Sequence, residues 1–392
     1  MTSTNQNTMV QPGKGLQIVA IILLVIGIIG LYPLMSEGGR AFNQGSALPW
    51  GLPVVTYAFL ALGSFAVAIV NMLGVLTKQP GLCRLVRRNL MLSLGLSIGA
   101  VVALALELGH PLRSIWAIPL NMQIRSPLLW MGVFWSLYII SMLVALVWLR
   151  NSDNRLENRQ GLALLILVTA LGGLFTQGLV YGMMAMRPVW FGSATPLYFL
   201  IAALPLGLAL MSLFTQISYG FRRDAMSPDV QALIGDLLPK YLLVAMAVYT
   251  LTWIARITTG LWTVQDGHHV VFEHMLGSGL FWFEAIVGIV LPLALLLFVR
   301  KPSVGISIVT GVAIIIGLFI ARYEFVIGGQ LVPLFKGSWE WGLIEYAPSM
   351  TEWMVTLTGA ALAIVIYAFG ERLLYGKPIH YQANQQAQKE AS

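Results

Sequence analysis

"RNLMLSLGLSIGAVVALALELGHPLR", residues 88–113, opens on a base, runs from Asn89 to Leu106 without a charge, and closes on Glu107, His110 and Arg113. At about 1.5 Å per residue, a helical run of this length matches the roughly 30 Å of hydrocarbon in a bilayer. The stretch therefore reads as a transmembrane helix whose far end carries groups that lipid would penalise. The rest of the chain follows the same rule. Its 392 residues are 58% hydrophobic and 10% charged, with a mean hydropathy of +0.80, too little polar surface to clothe a water-soluble domain. Long apolar stretches rich in Gly, Leu and Ile, broken by short polar turns, are the pattern of a helical bundle and not the alternation of a barrel.

The expected fold is all-α: a polytopic membrane protein with ten transmembrane helices at 16–34, 51–76, 88–108, 127–149, 161–186, 195–220, 240–262, 273–299, 303–325 and 351–369. The first is read as retained, because no small-residue cleavage site follows it. That leaves segment 1–15 and tail 370–392, whose "YQANQQAQKEAS" reads as disordered. "SPLLW" at 126–130 and "SGLFW" at 278–282 raise an internal repeat of spans two to five as six to nine, a match short enough for chance to produce.

An even number of spans puts both termini on one side. Sixteen Lys and Arg fall in the connections of that side and five (Arg40, Arg113, Arg125, Arg187, Lys336) on the other. By the positive-inside rule both termini are cytoplasmic and Glu107, His110 and Arg113 face outward. The pI near 9.5 thus reflects loop orientation and implies no nucleic-acid partner; the bilayer itself is the partner.

The single cysteine, Cys83, excludes disulfides, Cys-ligated zinc and an iron-sulfur cluster held by this chain alone. None of the five histidines lies deep in a span, so no haem is expected. Phosphate loops, serine triads and HExxH are absent. In "DGHHVVFEH", 266–274, Asp266, His268, His269, Glu273 and His274 are suitable metal ligands without a repeated ligand motif, and the stretch reads better as a solvated loop and helix start.

A charge at mid-bilayer costs about 2.5–3.5 kcal/mol on insertion scales, so each needs a partner, water or a function. The candidates are Glu107, Arg256, Glu284, Arg322, Glu324 and Glu352. Counted along their helices, Arg256 and Glu284 lie roughly 9 and 16 Å below one surface. They are expected to pair, directly or through water, although an ion pair that merely packs the bundle fits the same residues. Outer loops add "PWG" at 49–51 with Trp50, "NMQIRSP" at 121–127 with Asn121 and Ser126, and "EYAPSMTEW" at 345–353 with Tyr346.

Through "PWG", "ELGHPLR", the "SP" opening span four, the Glu of span eight and "YAPSMTE", the chain resembles the NrfD and polysulfide reductase membrane-subunit family, especially ten-helix members such as those of hydrogenase-2 and the Dsr complex. Where relatives often carry Asp followed by Gly-Arg-Pro, this sequence has Glu107-Leu-Gly-His-Pro, with its arginine at 113. The resemblance implies two four-helix bundles plus two peripheral helices in the bacterial inner membrane. It also implies a quinone site (menaquinone or ubiquinone) near the periplasmic face, with no haem or cluster bound by the chain. The implied partners are a periplasmic, ferredoxin-like iron-sulfur subunit and a catalytic subunit of molybdopterin, hydrogenase or multihaem cytochrome c type. On that basis Glu107, His110 and Glu284 are the expected proton-handling residues. Trp50, Arg113, Asn121, Ser126, Arg256, Arg322 and Tyr346 are the expected quinone-binding ones. A secondary transporter and a non-catalytic anchor are the rival readings, and Pro205 and Pro292 the only deep helix-breaking candidates a transporter would use.

Overall fold

Alternating hydrocarbon and charge along the chain produce ten helices long and apolar enough to span a membrane in the computed structural model, which describes residues 14–150, 155–264, 267–299, 302–334 and 342–375. The helices are α1 (Lys14–Gly30), α2 (Leu52–Leu76), α3 (Pro80–Glu107), α4 (Pro127–Trp148), α5 (Gln160–Gly182), α6 (Ala194–Ser218), α7 (Leu238–Trp262), α8 (Gly279–Phe298), α9 (Val304–Gly328) and α10 (Met350–Tyr375). No strand occurs among the described residues. Asp266, Lys336, His380, residues 1–13 of the expected N-terminal segment and 376–392 of the expected tail lie outside them.

Helices α2–α5 close one four-helix bundle, and α6–α9 close a second in the same cyclic order. Packing of α2 and α5 against α6 joins the two; α10 lies on α3, and α1 lies outside on α10. The chain is thus an all-α polytopic membrane protein with two bundles and two peripheral helices. Ends are set by local chemistry: Gln79 caps α3 by accepting from Leu82 N at 2.7 Å, and Ser303 caps α9 by accepting from Ile306 N at 3.3 Å. Trp50, Glu107 and Tyr346 lie at one end of the molecule, called the Trp50 end below; the Arg84–Asp229 ion pair lies at the other.

Span eight starts later than its sequence pattern implies. Residues His268–Leu276 form a separate helix, and Ser278 starts a new one by accepting from Leu280 N at 3.2 Å. Glu284 is therefore one turn into α8 and not three. Within α8, Glu284–Val290 is wound as a π-helix. Pro292 has no N–H to give the carbonyl four residues back, and a widened turn accommodates that loss; such segments recur at functional sites. The wide turn sits against α9 where Gly288 meets Gly317 backbone to backbone, with no room for a Cβ on either side. Gly317→Val should force α8 off α9 and cost about 1–3 kcal/mol as overpacking, read as a lowered unfolding midpoint of the purified chain.

Candidate functional site

At the Trp50 end, three irregular segments and three helix ends converge. Arg187, buried, donates to Gln330 O and Val332 O at 3.1 Å each and to Ala47 O at 3.3 Å, tying three separate loops together. Gln330, fully buried, clasps Trp50 in both directions: Trp50 N donates to its Oε1 at 2.9 Å, and its Nε2 donates to Trp50 O at 2.8 Å. The Trp50 ring stacks on Trp190 at 5.2 Å and meets Tyr181 edge-on at 5.5 Å. Trp190 Nε1 in turn donates to Phe325 O at 2.7 Å. "PWG" is thus the anchor of a loop, its indole built into the join between the bundles. Arg187→Ala should leave three loop carbonyls short of a donor, at about 1–3 kcal/mol for each one that stays dry, and increase proteolysis of the 42–51 segment.

The anchored loop delivers Gln44 to the end of α3, where its Nε2 donates to Glu107 Oε2 at 2.9 Å. Glu107 is half-buried, and among the described residues this is its one hydrogen bond. A second carboxylate lies close by with a different condition. Glu352, in the first turn of α10, is completely buried and accepts from Tyr346 Oη at 2.6 Å, Ser349 N at 2.6 Å and Asn43 N at 3.3 Å. With Glu352 N donating to Ser349 Oγ at 3.3 Å, Ser349 and Glu352 form the reciprocal S-x-x-E box that starts a helix. Tyr346 Oη also accepts from Leu52 N at 2.8 Å. Burial and the Glu352 carboxylate push the Tyr346 phenol above its ordinary range, so it stays a donor. Gly51 completes the corner: a Cβ there would run into Glu352, Tyr346 and Gln44.

The remaining sequence candidates separate into two groups. His110 precedes the short helix Pro111–Leu120, and His110, Arg113 and Asn121 are exposed. Arg113 reaches over the Trp116 ring at 6.0 Å, and Asn121 Nδ2 donates to Ala117 O at 3.0 Å. Ser126 starts α4 without a side-chain cap bond. The second group lies inside the α6–α9 bundle. Arg322 is 1% exposed with its guanidinium 4.0 Å over Phe199; Arg256 lies 4.9 Å over Phe325 and 5.2 Å over Tyr198. Glu284, buried, accepts from Tyr249 Oη at 3.2 Å and meets the carboxyl of Glu324. The expected direct Arg256–Glu284 ion pair is not formed. Arg256 turns its guanidinium onto aromatic faces, while Glu284 takes a tyrosine and a second carboxyl as neighbours.

Residues 41–334 match the family described as "Polysulphide reductase, NrfD", three quarters of the chain. The chain belongs to the NrfD polysulphide reductase family. A selenate reductase subunit of Mesobacillus selenatarsenatis is 23% identical to it over 401 aligned residues, covering 90% of this chain and 92% of that protein. The Hdr-like menaquinol oxidoreductase integral membrane subunit of Archaeoglobus fulgidus is 21% identical over 385, covering 92% and 94%.

In this NrfD-family chain, Gln44, Tyr249 and the contact between Glu324 and Glu284 are not marked by any motif among the sequence candidates. Gln44 lies in an irregular loop with no periodicity to single it out. Glu352 did carry a signal for its capping role, the "SMTE" of residues 349–352 directly before an apolar run. Among the described residues no group of three or more His, Cys, Asp and Glu is placed to hold a metal ion.

Proposed function

We propose that this chain is the quinone-reactive membrane subunit of a multi-subunit respiratory oxidoreductase in the bacterial inner membrane. On this reading its termini are cytoplasmic, and its Trp50 end faces the periplasm and docks a ferredoxin-like iron-sulfur subunit, with a further catalytic subunit beyond it. Family membership, a relative named as the integral membrane subunit of a menaquinol oxidoreductase, and the loop asymmetry of Lys and Arg support this reading. One structural observation carries it: of two neighbouring carboxyls at the Trp50 end, Glu352 is saturated by protein donors, whereas Glu107 keeps an oxygen outside any hydrogen bond among the described residues.

A quinone site needs a polar group for the ring oxygens, a titratable group in touch with water, and an apolar approach from lipid. The residues at this corner fit. When bound, a quinone supplies two-electron, two-proton chemistry. Glu107 gives or takes a proton at its free oxygen, while Gln44 holds the other oxygen and fixes the carboxyl plane. His110, exposed three residues on, passes that proton to the outer aqueous phase, and Arg113 offers a cation to the quinone head or the partner subunit. Leu108, Leu112 and Trp116, all exposed, form the apolar approach. Trp50 and Tyr346 act through position: the one anchors the loop that carries Gln44, the other holds Glu352.

The test is isolation of the intact complex from membranes under mild detergent. The reading expects an iron-sulfur subunit and extractable quinone to accompany the chain. An anchor alone would bring the protein partner without quinone, and a transporter would bring neither.

A further inference from the structure

The helix His268–Leu276 is the part of "DGHHVVFEH" that the quinone chemistry leaves unused. It packs on α7, α8 and α9 through buried Val271, Phe272 and Met275. His268 lies one turn before Phe272, their rings 5.2 Å apart, and the Arg256 guanidinium stands 5.6 Å from the same Phe272 ring. Arg256 also covers Phe325, the residue after Glu324, whose carboxyl meets that of Glu284. A line of polar groups therefore runs inward from the Trp50 end: His268, Arg256, Glu324, Glu284, Tyr249.

Several side-chain atoms along this line are buried and have no protein partner. They are His268 Nδ1, Arg256 Nη2 and Glu324 Oε2, with Arg322 Nε and Nη1 further in. Glu324 is 7% exposed and Arg322 1%. A buried polar atom left unpaired is costly, and a charged one more so. Five of them along one path call for small polar occupants, and the mixture of atoms selects the kind. An anion would meet the Glu324 and Glu284 carboxyls, and a metal cation would meet two guanidinia. Water alone donates to Glu324 and the imidazole and accepts from both arginines, with the two to four partners an internal water requires.

We propose that water fills a crevice from His268 to the Glu284–Glu324 pair and carries protons between that pair and the solution at the Trp50 end, giving the α6–α9 bundle a proton entrance separate from Glu107. The transfer moves one proton: an O–H bond to Glu324 forms as an O–H bond of the adjacent water breaks, and that water is reprotonated from the next. His268 suits the mouth. Burial, with the Arg256 guanidinium and the His269 ring beside it, holds its pKa below the ordinary imidazole value, so near neutral pH the ring is uncharged. An uncharged imidazole accepts at one nitrogen and donates at the other. The groups facing the pair are Arg256, Tyr249 and Trp253 from α7, and each carboxyl's own partner across α8 and α9.

The test is hydrogen–deuterium exchange of the buried carboxyl, followed by infrared spectroscopy on the intact complex in nanodiscs during perfusion with D2O. Its C=O band is assigned by loss in Glu324→Gln or Glu284→Gln. His268→Phe, which plugs the mouth, should slow exchange of that band at least ten-fold. His268→Gln should leave it near the wild-type rate, and so should Glu107→Gln. Where Phe cannot be accommodated, His268→Leu, close to imidazole in volume, carries the same expectation. An unchanged rate in the plugged variant overturns the proposal. So does slowing in Glu107→Gln, which would route the protons through the quinone corner, or the absence of any exchangeable band assigned to the pair. The readout is taken on resting protein without quinone turnover, so its failure leaves the quinone reading standing.

Discussion

Glu107→Gln is expected to lower quinone-linked turnover by at least about two orders of magnitude while the complex assembles in normal yield. Proton transfer by a positioned side chain contributes roughly 10²–10⁴-fold, and the amide keeps the shape and the Gln44 contact while removing the exchangeable proton. Gln44 can rotate its amide to meet a glutamine as it meets a carboxylate, so the loop 42–51 stays in place. The measurement is steady-state oxidation of a soluble menaquinol analogue per assembled complex, together with KM. Loss confined to kcat marks a group used in the proton step. Turnover within a few-fold of wild type would remove Glu107 from that role.

Glu352→Ala is expected to fail differently. Its carboxylate takes three donors, two at 2.6 Å, in a site with no solvent exposure. Truncation strands the Tyr346 hydroxyl and two backbone N–H groups, at about 1–3 kcal/mol each, and removes half of a helix-starting box worth about 1 kcal/mol. Several kcal/mol is a large share of a folded chain's margin. The variant should therefore accumulate poorly and unfold earlier, losing turnover in proportion to assembled protein. Glu352→Gln, which retains an acceptor for Tyr346, should recover part of both. Chemistry at Glu107 and architecture at Glu352 are thus separable by comparing activity per complex with yield of complex.

The difference between these two acids shows how far sequence reaches. The ten spans were legible because lipid enforces apolar length, and no other arrangement of "RNLMLSLGLSIGAVVALALELGHPLR" satisfies its backbone in hydrocarbon. Glu107 was legible for the same reason: a carboxyl ending an apolar run stands out. Its partner Gln44 was not, since only closure of the loop by Arg187 and Gln330 brings it there. The start of α8 was misplaced because "HHVVFEHML" continues the apolar pattern and the break is two residues long, Gly277-Ser278. Depth along a helix follows from counting only where the helix start is right: Arg256 sits as counted from the end of α7, whereas Glu284 lies nearer the start of α8 than its span implied. Rotation about the helix does not follow, and rotation decides that Arg256 meets rings and Glu284 meets Glu324.

The most direct measurement of the central claim is photolabelling of the intact complex with an azido-quinone, followed by mass-spectrometric mapping of the modified residues. Label is expected within 42–52, 104–116 or 342–353, removed by excess unlabelled quinone and reduced in Gln44→Leu. Competable label confined to the α7–α9 core around Glu284, or none that quinone displaces, would contradict that claim.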